Sequence, residues 1–275
     1  MTDVRSRYLK IQAELGGPEV VLSDPRTVRR SDVPNESPSD GPTVRPSDEA
    51  APPAVVPTVR SKKDWRSDAP PIPGPGLTIA SGAAADLLTG EPPFSSLEDV
   101  AQVVSICEKC ALCKTRRNTV PGEGNPRARL LCVGEGPGET EDQTGRPFVG
   151  RAGELLTAML AAIELPRETV FIANVVKCRP PQNRKPLPDE MSACLPYLRR
   201  QIQLIQPSVI LALGSTAAEG LLGVKKSLSE LRTRVHRWDG IPLIITYHPA
   251  ALLRNPNWKK PAWDDVRIAR QLLGD

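Results

Sequence analysis

Apolar residues follow two alternating rhythms along this chain, and only beyond its first third. Short runs at residues 130–134, 170–176, 209–213 and 243–247 are apolar and rich in β-branched side chains, the pattern of buried strands. Residues 152–163, 189–205, 215–222 and 263–273 repeat apolar positions at helical spacing. Pro188 before Asp189, and Ser215 after Gly214, are helix-start signals. Strands separated by helices of this length make parallel βαβ units. The pattern predicts an α/β fold, a three-layer α/β/α sandwich around a central, mainly parallel four-stranded sheet. Such sheets bind ligands beyond the carboxyl ends of their strands. That singles out residues 134–150, 174–184, 214–216 and 247–254.

Residues 1–95 carry neither rhythm. They hold half of the chain's 30 prolines, mixed with Ser, Asp, Arg and Ala. Such a composition buries too little apolar surface to offset chain entropy. Residues 18–93 are therefore expected to be a disordered linker. Val4, Tyr8, Ile11 and Leu15 recur at helical spacing, so residues 2–15 read either as a short amphipathic helix or as a frayed tail. Residues 96–275 suit one domain with its own core. No stretch reads as a membrane span or a secretory signal, so a cytoplasmic protein is expected. In that compartment six cysteines read as metal ligands or buried thiols rather than disulfides. A net charge of +4 permits a nucleic-acid partner without establishing one.

The segment after the first strand is the most elaborate. Gly134-Glu135-Gly136-Pro137-Gly138 leads through Glu141-Asp142 to Gly145-Arg146-Pro147-Phe148-Val149-Gly150. A plain strand–helix link needs only ~2–6 residues. Phe148 lies in this polar loop rather than in an apolar run, which favours a stacking surface over a core plug. Cys110 and Cys113 form a C-x2-C pair, with Cys107 three residues earlier. Cys178 and Cys194 flank a loop rich in Pro, Arg and Asn. Two spaced thiolate pairs suit zinc or an iron–sulfur cluster, and spacing does not separate the two. Cys132 in its strand, and Cys107, are read as small packed thiols. His248 follows the last strand, where it can donate to a developing oxyanion or serve only structure. His236 reads as a surface or hairpin residue. Asn174 closes the second strand, and its amide suits the edge of a nucleobase.

These motifs, in this order and spacing from about Cys107 to Leu273, closely resemble the iron–sulfur uracil-DNA glycosylases, the fourth family of their superfamily. The resemblance is carried by the glycine-rich segment and its continuation through Arg151-Ala152-Gly153. It is carried equally by Asn174-Val175-Val176-Lys177-Cys178-Arg179-Pro180-Pro181 with Asn183-Arg184, and by His248-Pro249-Ala250. It implies an enzyme that flips uracil out of DNA and hydrolyses its N-glycosidic bond, leaving an abasic site. It implies a [4Fe–4S] cluster on Cys110, Cys113, Cys178 and Cys194. Asn174 would read the O4/N3 edge of uracil, Phe148 would stack on it and His248 would face O2. Glu135 and Gly136 would lie beside the base, Glu141 near the site where thymine's methyl is excluded, and Asn183 in the neighbouring loop.

In the first family of that superfamily an aspartate aligns with Gly136 and activates water. Here that task would pass to Glu135, Glu141, Asp142, Asn174 or backbone groups. The phosphate contacts expected are Arg179, Arg184, Lys185, Arg254 and Lys225 or Lys226. In Ala251-Leu252-Leu253-Arg254, Leu252 and Leu253 read equally as a wedge entering the DNA and as core. A monomer is expected, with the N-terminal extension free to meet other repair or replication proteins. Two other classes stand beside this reading: a covalently trapping uracil-DNA binder and a non-catalytic DNA-binding metal module.

Overall fold

The computed structural model describes residues 65–66, 69–80 and 94–274. The helix expected over 2–15 and most of the expected linker lie outside those residues. Among the described residues seven strands form one sheet: β1 (Pro75–Ile79), β2 (Glu123–Gly124), β3 (Leu130–Gly134), β4 (Phe171–Asn174), β5 (Val209–Leu213), β6 (Val235–Trp238) and β7 (Ile241–Thr246). Their order is β1-β6-β7-β5-β3-β4-β2. The four central strands, β7, β5, β3 and β4, are parallel and are those the apolar runs predict.

The sheet is thus seven-stranded and mixed, not four-stranded. β2 joins β4 antiparallel, β6 joins β7 antiparallel, and β1 joins β6 parallel. The three additions are short and carry Gly, Pro, His or Arg, so they exist through pairing with distant strands rather than through local preference. His236, in the β6–β7 hairpin, is buried rather than on the surface. Its Nδ1 accepts from the Leu77 N–H at 3.0 Å, and its Nε2 lies 2.7 Å from the Leu231 carbonyl. The first of these bonds ties β1 to the sheet, within the stretch expected to be linker, and the second ties the ring to the short helix Leu228–Leu231. Trp65, also from that stretch, is buried among core residues with the Arg270 guanidinium 4.9 Å from its ring centre.

Eight α-helices are described: α1 (Leu97–Ser105), α2 (Glu139–Thr144), α3 (Arg151–Ala162), α4 (Pro188–Ile205), α5 (Ser215–Leu222), α6 (Leu228–Leu231), α7 (Pro249–Arg254) and α8 (Lys259–Leu272). Ser96 caps α1 in a capping box with Asp99, and Pro188 opens α4 with its fixed φ. The strand period divides the core in two. Leu131, Val133, Ala173 and Ile210 face α1, α4 and α5, while Leu130, Cys132, Ile172 and Leu211 face α3 and α8. Both faces of the central strands are therefore covered, which explains their unbroken apolar runs. Burial pushes the Cys132 thiol up to about 12, consistent with a packed, inert side chain.

Candidate active site

Side chains at and beyond the carboxyl ends of β3, β4 and β7 meet in one cluster. Gly134 pairs in register with Asn174. A Cβ at Gly134 would lie 2.4 Å from Asn174 Oδ1 and 2.5 Å from Phe148 Cζ, so only glycine lets the two side chains meet there. The Phe148 and His248 rings lie 5.5 Å apart at 32°. Three residues distant in sequence, each expected at the base, are thus brought together.

Each is held in a definite state. Asn174 is 1% exposed, and its Oδ1 has no hydrogen-bond partner. A buried carbonyl oxygen without a donor costs about 1–3 kcal/mol, a deficit that a ligand N–H would remove. Phe148 has φ 50°, strained for a non-glycine residue. Arg167 braces it, donating to the carbonyls of Phe148 at 3.0 Å and Pro147 at 2.5 Å. His248 caps α7, its Nδ1 accepting from the Ala250 N–H at 3.2 Å. That bond leaves the proton of the neutral ring on Nε2. Burial, reinforced by the Arg254 charge and opposed by Glu141, pushes the imidazole down to about 4. The ring is neutral at physiological pH.

The carboxylates are engaged by neighbouring donors. Glu141 Oε1 accepts from the N–H groups of Val149 and Gly150 at 2.8 and 2.9 Å, and Oε2 from Gly138 at 3.1 Å. With both oxygens occupied, it clamps the loop that carries Phe148. Asp142 is buried and accepts from the Arg117 N–H at 2.9 Å. Glu135 accepts from Thr216 Oγ1 at 2.5 Å. A Cβ at Gly136 would approach Val176 Cγ2 to 2.7 Å, so its backbone packs where a side chain would collide.

Behind β4 a cavity is lined by Cys107, Cys110, Cys178 and Cys194, together with Lys177 and Tyr197. Tyr197 donates to Cys107 Sγ at 3.3 Å, Arg116 to Cys178 Sγ at 3.3 Å, and the Lys177 N–H to Cys194 Sγ at 3.2 Å. Donors aimed at sulfur suit thiolates. Cys107, read from sequence as a packed thiol, lines this cavity, and Cys113, read as a ligand, does not. Among the described residues no three His, Cys, Asp or Glu side chains converge on a single ion. Four thiols in one lining fit an iron–sulfur cluster, which is larger than an ion and holds its ligands farther apart.

The expected phosphate contacts divide. Arg184 is engaged by buried Glu190 through two bonds of 2.7 and 2.8 Å, and Lys185 by Glu219 at 2.6 Å. Both are tied to carboxylates. Arg179 donates to Asn183 Oδ1 at 2.8 Å, which fixes the loop that Asn183 occupies. Lys225, Lys226 and Arg254 are exposed. Leu252 is fully buried, whereas Leu253 is 40% exposed, so core and wedge readings each claim one leucine. Sequence reasoning gave no role to Arg167 or Lys177. Lys177 had one signal, a lone charge between Val176 and Cys178.

Residues 121–267 match the model of the uracil DNA glycosylase superfamily. The chain is 51% identical over 181 residues to the type-4 uracil-DNA glycosylase of Thermotoga maritima, covering 64% of this chain and 94% of that protein. It is 47% identical over 188 residues to the type-4 enzyme of Sulfurisphaera tokodaii, covering 65% and 86%. Against the type-5 uracil-DNA glycosylase of Thermus thermophilus identity is 36% over 149 residues, covering 47% and 68%. No helix among the described residues is long and apolar enough to cross a membrane. With the cluster of Asn174, Phe148 and His248 and the cavity bearing four thiols, these matches show that the chain belongs to the uracil-DNA glycosylase superfamily, as a type-4 member.

Proposed function

We propose that this chain hydrolyses the N-glycosidic bond of deoxyuridine in DNA, releasing uracil and leaving an abasic site in an intact strand. The observation that carries the site assignment is the unpartnered, buried Oδ1 of Asn174 beside the Phe148 ring. A base extruded from the helix stacks on Phe148. Asn174 Oδ1 accepts from its N3–H, and the amide nitrogen donates to O4. Cytosine has no N3–H and presents an amine in place of O4, so both bonds fail.

As the bond between C1′ and N1 breaks, its electron pair goes to uracil and negative charge collects on O2. The His248 Nε2–H donates to that oxygen without giving up its proton. A donor of this kind is worth on the order of 10²–10³ in rate. Water adds to C1′, and its second proton leaves to solvent. Glu135, held by Thr216, is the carboxylate beside the base that remains available to orient that water.

Cys107, Cys110, Cys178 and Cys194 are the residues proposed to hold a [4Fe–4S] cluster. Bound there, the cluster supplies cross-links between chain segments rather than chemistry on the base. One of those segments reaches the pocket through Asp142, which accepts from the Arg117 N–H at 2.9 Å, while Asn118 Nδ2 donates to the Asp142 carbonyl at 2.8 Å. Leu253 and Arg254 at the end of α7, with Arg179 and Lys225 or Lys226, are the proposed DNA contacts. Incubation with a uracil-containing oligonucleotide tests the reading. Free uracil and an alkali-labile, otherwise unbroken strand are expected. Tight binding without release would overturn it.

A further inference from the structure

Beyond α7 the chain turns at Pro256–Trp258, and the turn completes a column of stacked groups. Asp265, buried, grips Arg232 through bonds of 2.8 and 3.0 Å. The Arg232 guanidinium lies 4.3 Å from the centre of the Tyr247 ring. Tyr247 stacks on Trp258 with centres 4.9 Å apart and planes within 10°. The Asn255 side chain accepts from the Asn257 N–H at 3.2 Å, and the Trp258 N–H donates to the Asn255 carbonyl at 3.2 Å, which sets the turn. Trp258 nevertheless keeps 38% of its surface exposed although one face is covered by Tyr247. The column therefore ends in an open, pre-positioned aromatic surface.

Two features say what that surface meets. Tyr247 immediately precedes His248, and Arg254 is near enough to depress the His248 imidazole, so the column stands beside the cluster of Asn174, Phe148 and His248. The surroundings are cationic: Arg254 and Lys260 are exposed, Lys259 is half-buried, and among the described residues none of the three pairs with a carboxylate. An aromatic plane amid unpaired cations is the pattern of a single-strand nucleic-acid platform.

We propose that Trp258 is a stacking platform for an unpaired nucleobase of the strand that carries the extruded uracil. This rests on the glycosylase reading and adds a substrate class to it, DNA whose bases next to the uracil are unpaired. In a duplex those bases stay stacked on their neighbours and cannot reach the indole. In single-stranded or bubble DNA one of them can extend the column from Asp265 outward.

The test uses the full chain with Trp258→Ala and Trp258→Phe. Steady-state rates are measured on a single-stranded uracil oligonucleotide and on its fully paired duplex. Affinity for a uracil-free single strand is measured separately by fluorescence anisotropy. Losing a base–aromatic stack weakens single-strand binding on the order of 10- to 100-fold. Trp258→Ala should raise KM on single strands by that factor and on duplex by far less, with Trp258→Phe restoring most of it. The anisotropy measurement should show the same ordering. Unchanged single-strand affinity in Trp258→Ala, or equal losses on both substrates, would overturn the proposal. The uracil-free strand keeps it testable if the wild-type chain releases no uracil, a result that would count against the glycosylase reading alone.

Discussion

The ammonium of Lys177 donates to the backbone carbonyl of Asn174 at 2.9 Å. The same lysine lines the thiol cavity, and its backbone N–H donates to Cys194 Sγ at 3.2 Å. The side chain also donates to Gln201 Oε1 at 2.7 Å, and Gln201 in turn donates to the Pro121 carbonyl at 2.8 Å. Lys177 is 1% exposed, and burial pushes its ammonium down to about 8. One buried residue thus ties the end of β4 to the wall of the cysteine cavity.

Lys177→Met keeps the volume and removes the donor. It leaves the Asn174 carbonyl and Gln201 Oε1 without their partner, each at about 1–3 kcal/mol. A lower Tm is expected together with a fall in kcat/KM for uracil release. If Lys177 positions Asn174, Lys177→Arg should recover uracil release in part while Lys177→Met does not. Full activity in Lys177→Met would remove the link.

Asn174→Ala separates function from stability. The wild-type side chain carries an unpartnered buried oxygen, so its removal relieves about 1–3 kcal/mol, offset in part by the cavity left behind. Uracil release should fall on the order of 10²–10³ while Tm stays near that of the wild type. A large drop in Tm with activity retained would mean that Asn174 serves the fold.

Glu141 distinguishes a clamp from a gate. With three backbone N–H groups held by one carboxylate, Glu141→Ala frees the loop that presents Phe148. Misplacement of about 1 Å can cost up to ~100-fold in rate, so uracil release should drop to that extent. Thymine paired with guanine should remain uncleaved. Release of thymine by Glu141→Ala would restore the gating role.

The central sheet was readable from local signals, and Asn174, Phe148 and His248 were singled out by their positions in the chain. Apolar runs mark doubly covered strands, Asn174 and His248 stand at or just beyond strand ends, and Phe148 is an aromatic in a polar loop. β1 was hidden because Pro75-Gly76-Leu77-Thr78-Ile79 has no strand rhythm and depends on His236, 159 residues away from Leu77. The work of Glu141 was hidden for a related reason. A carboxylate in a glycine-rich loop looks the same whether it faces a substrate or three backbone amides. Cys107-x2-Cys110 and Cys110-x2-Cys113 share one spacing, so only folding separates them.

That ambiguity yields a measurement. Cys107 lines the cavity with Cys110, Cys178 and Cys194, while Cys113 lies in the turn Ala111–Lys114 outside it. Cys107→Ser should lose iron and the broad visible absorbance of an iron–sulfur protein. Cys113→Ser should retain both, measured as iron per chain and by absorbance. Iron loss in Cys113→Ser with retention in Cys107→Ser would return Cys113 to the ligand set.

His248 makes a prediction about pH. Its folded value of about 4 lies below the ordinary 6.5 because burial disfavours the charged ring. Above about pH 6.5 the ring is neutral in both folded and unfolded chains, and its contribution to stability is fully present. As pH falls, the unfolded chain binds the proton first, so stability declines from about 6.5 and levels off below about 4. A shift of this size corresponds to on the order of 3 kcal/mol. The stability difference between wild type and His248→Gln should follow that curve in urea titrations across pH. The ring itself, assigned by NMR against His248→Gln, should titrate near 4, and uracil release should show no loss attributable to this residue between pH 8 and 5. A ring titrating near 6.5 would make His248 a cation over part of that range, and the neutral-donor role at O2 would fail.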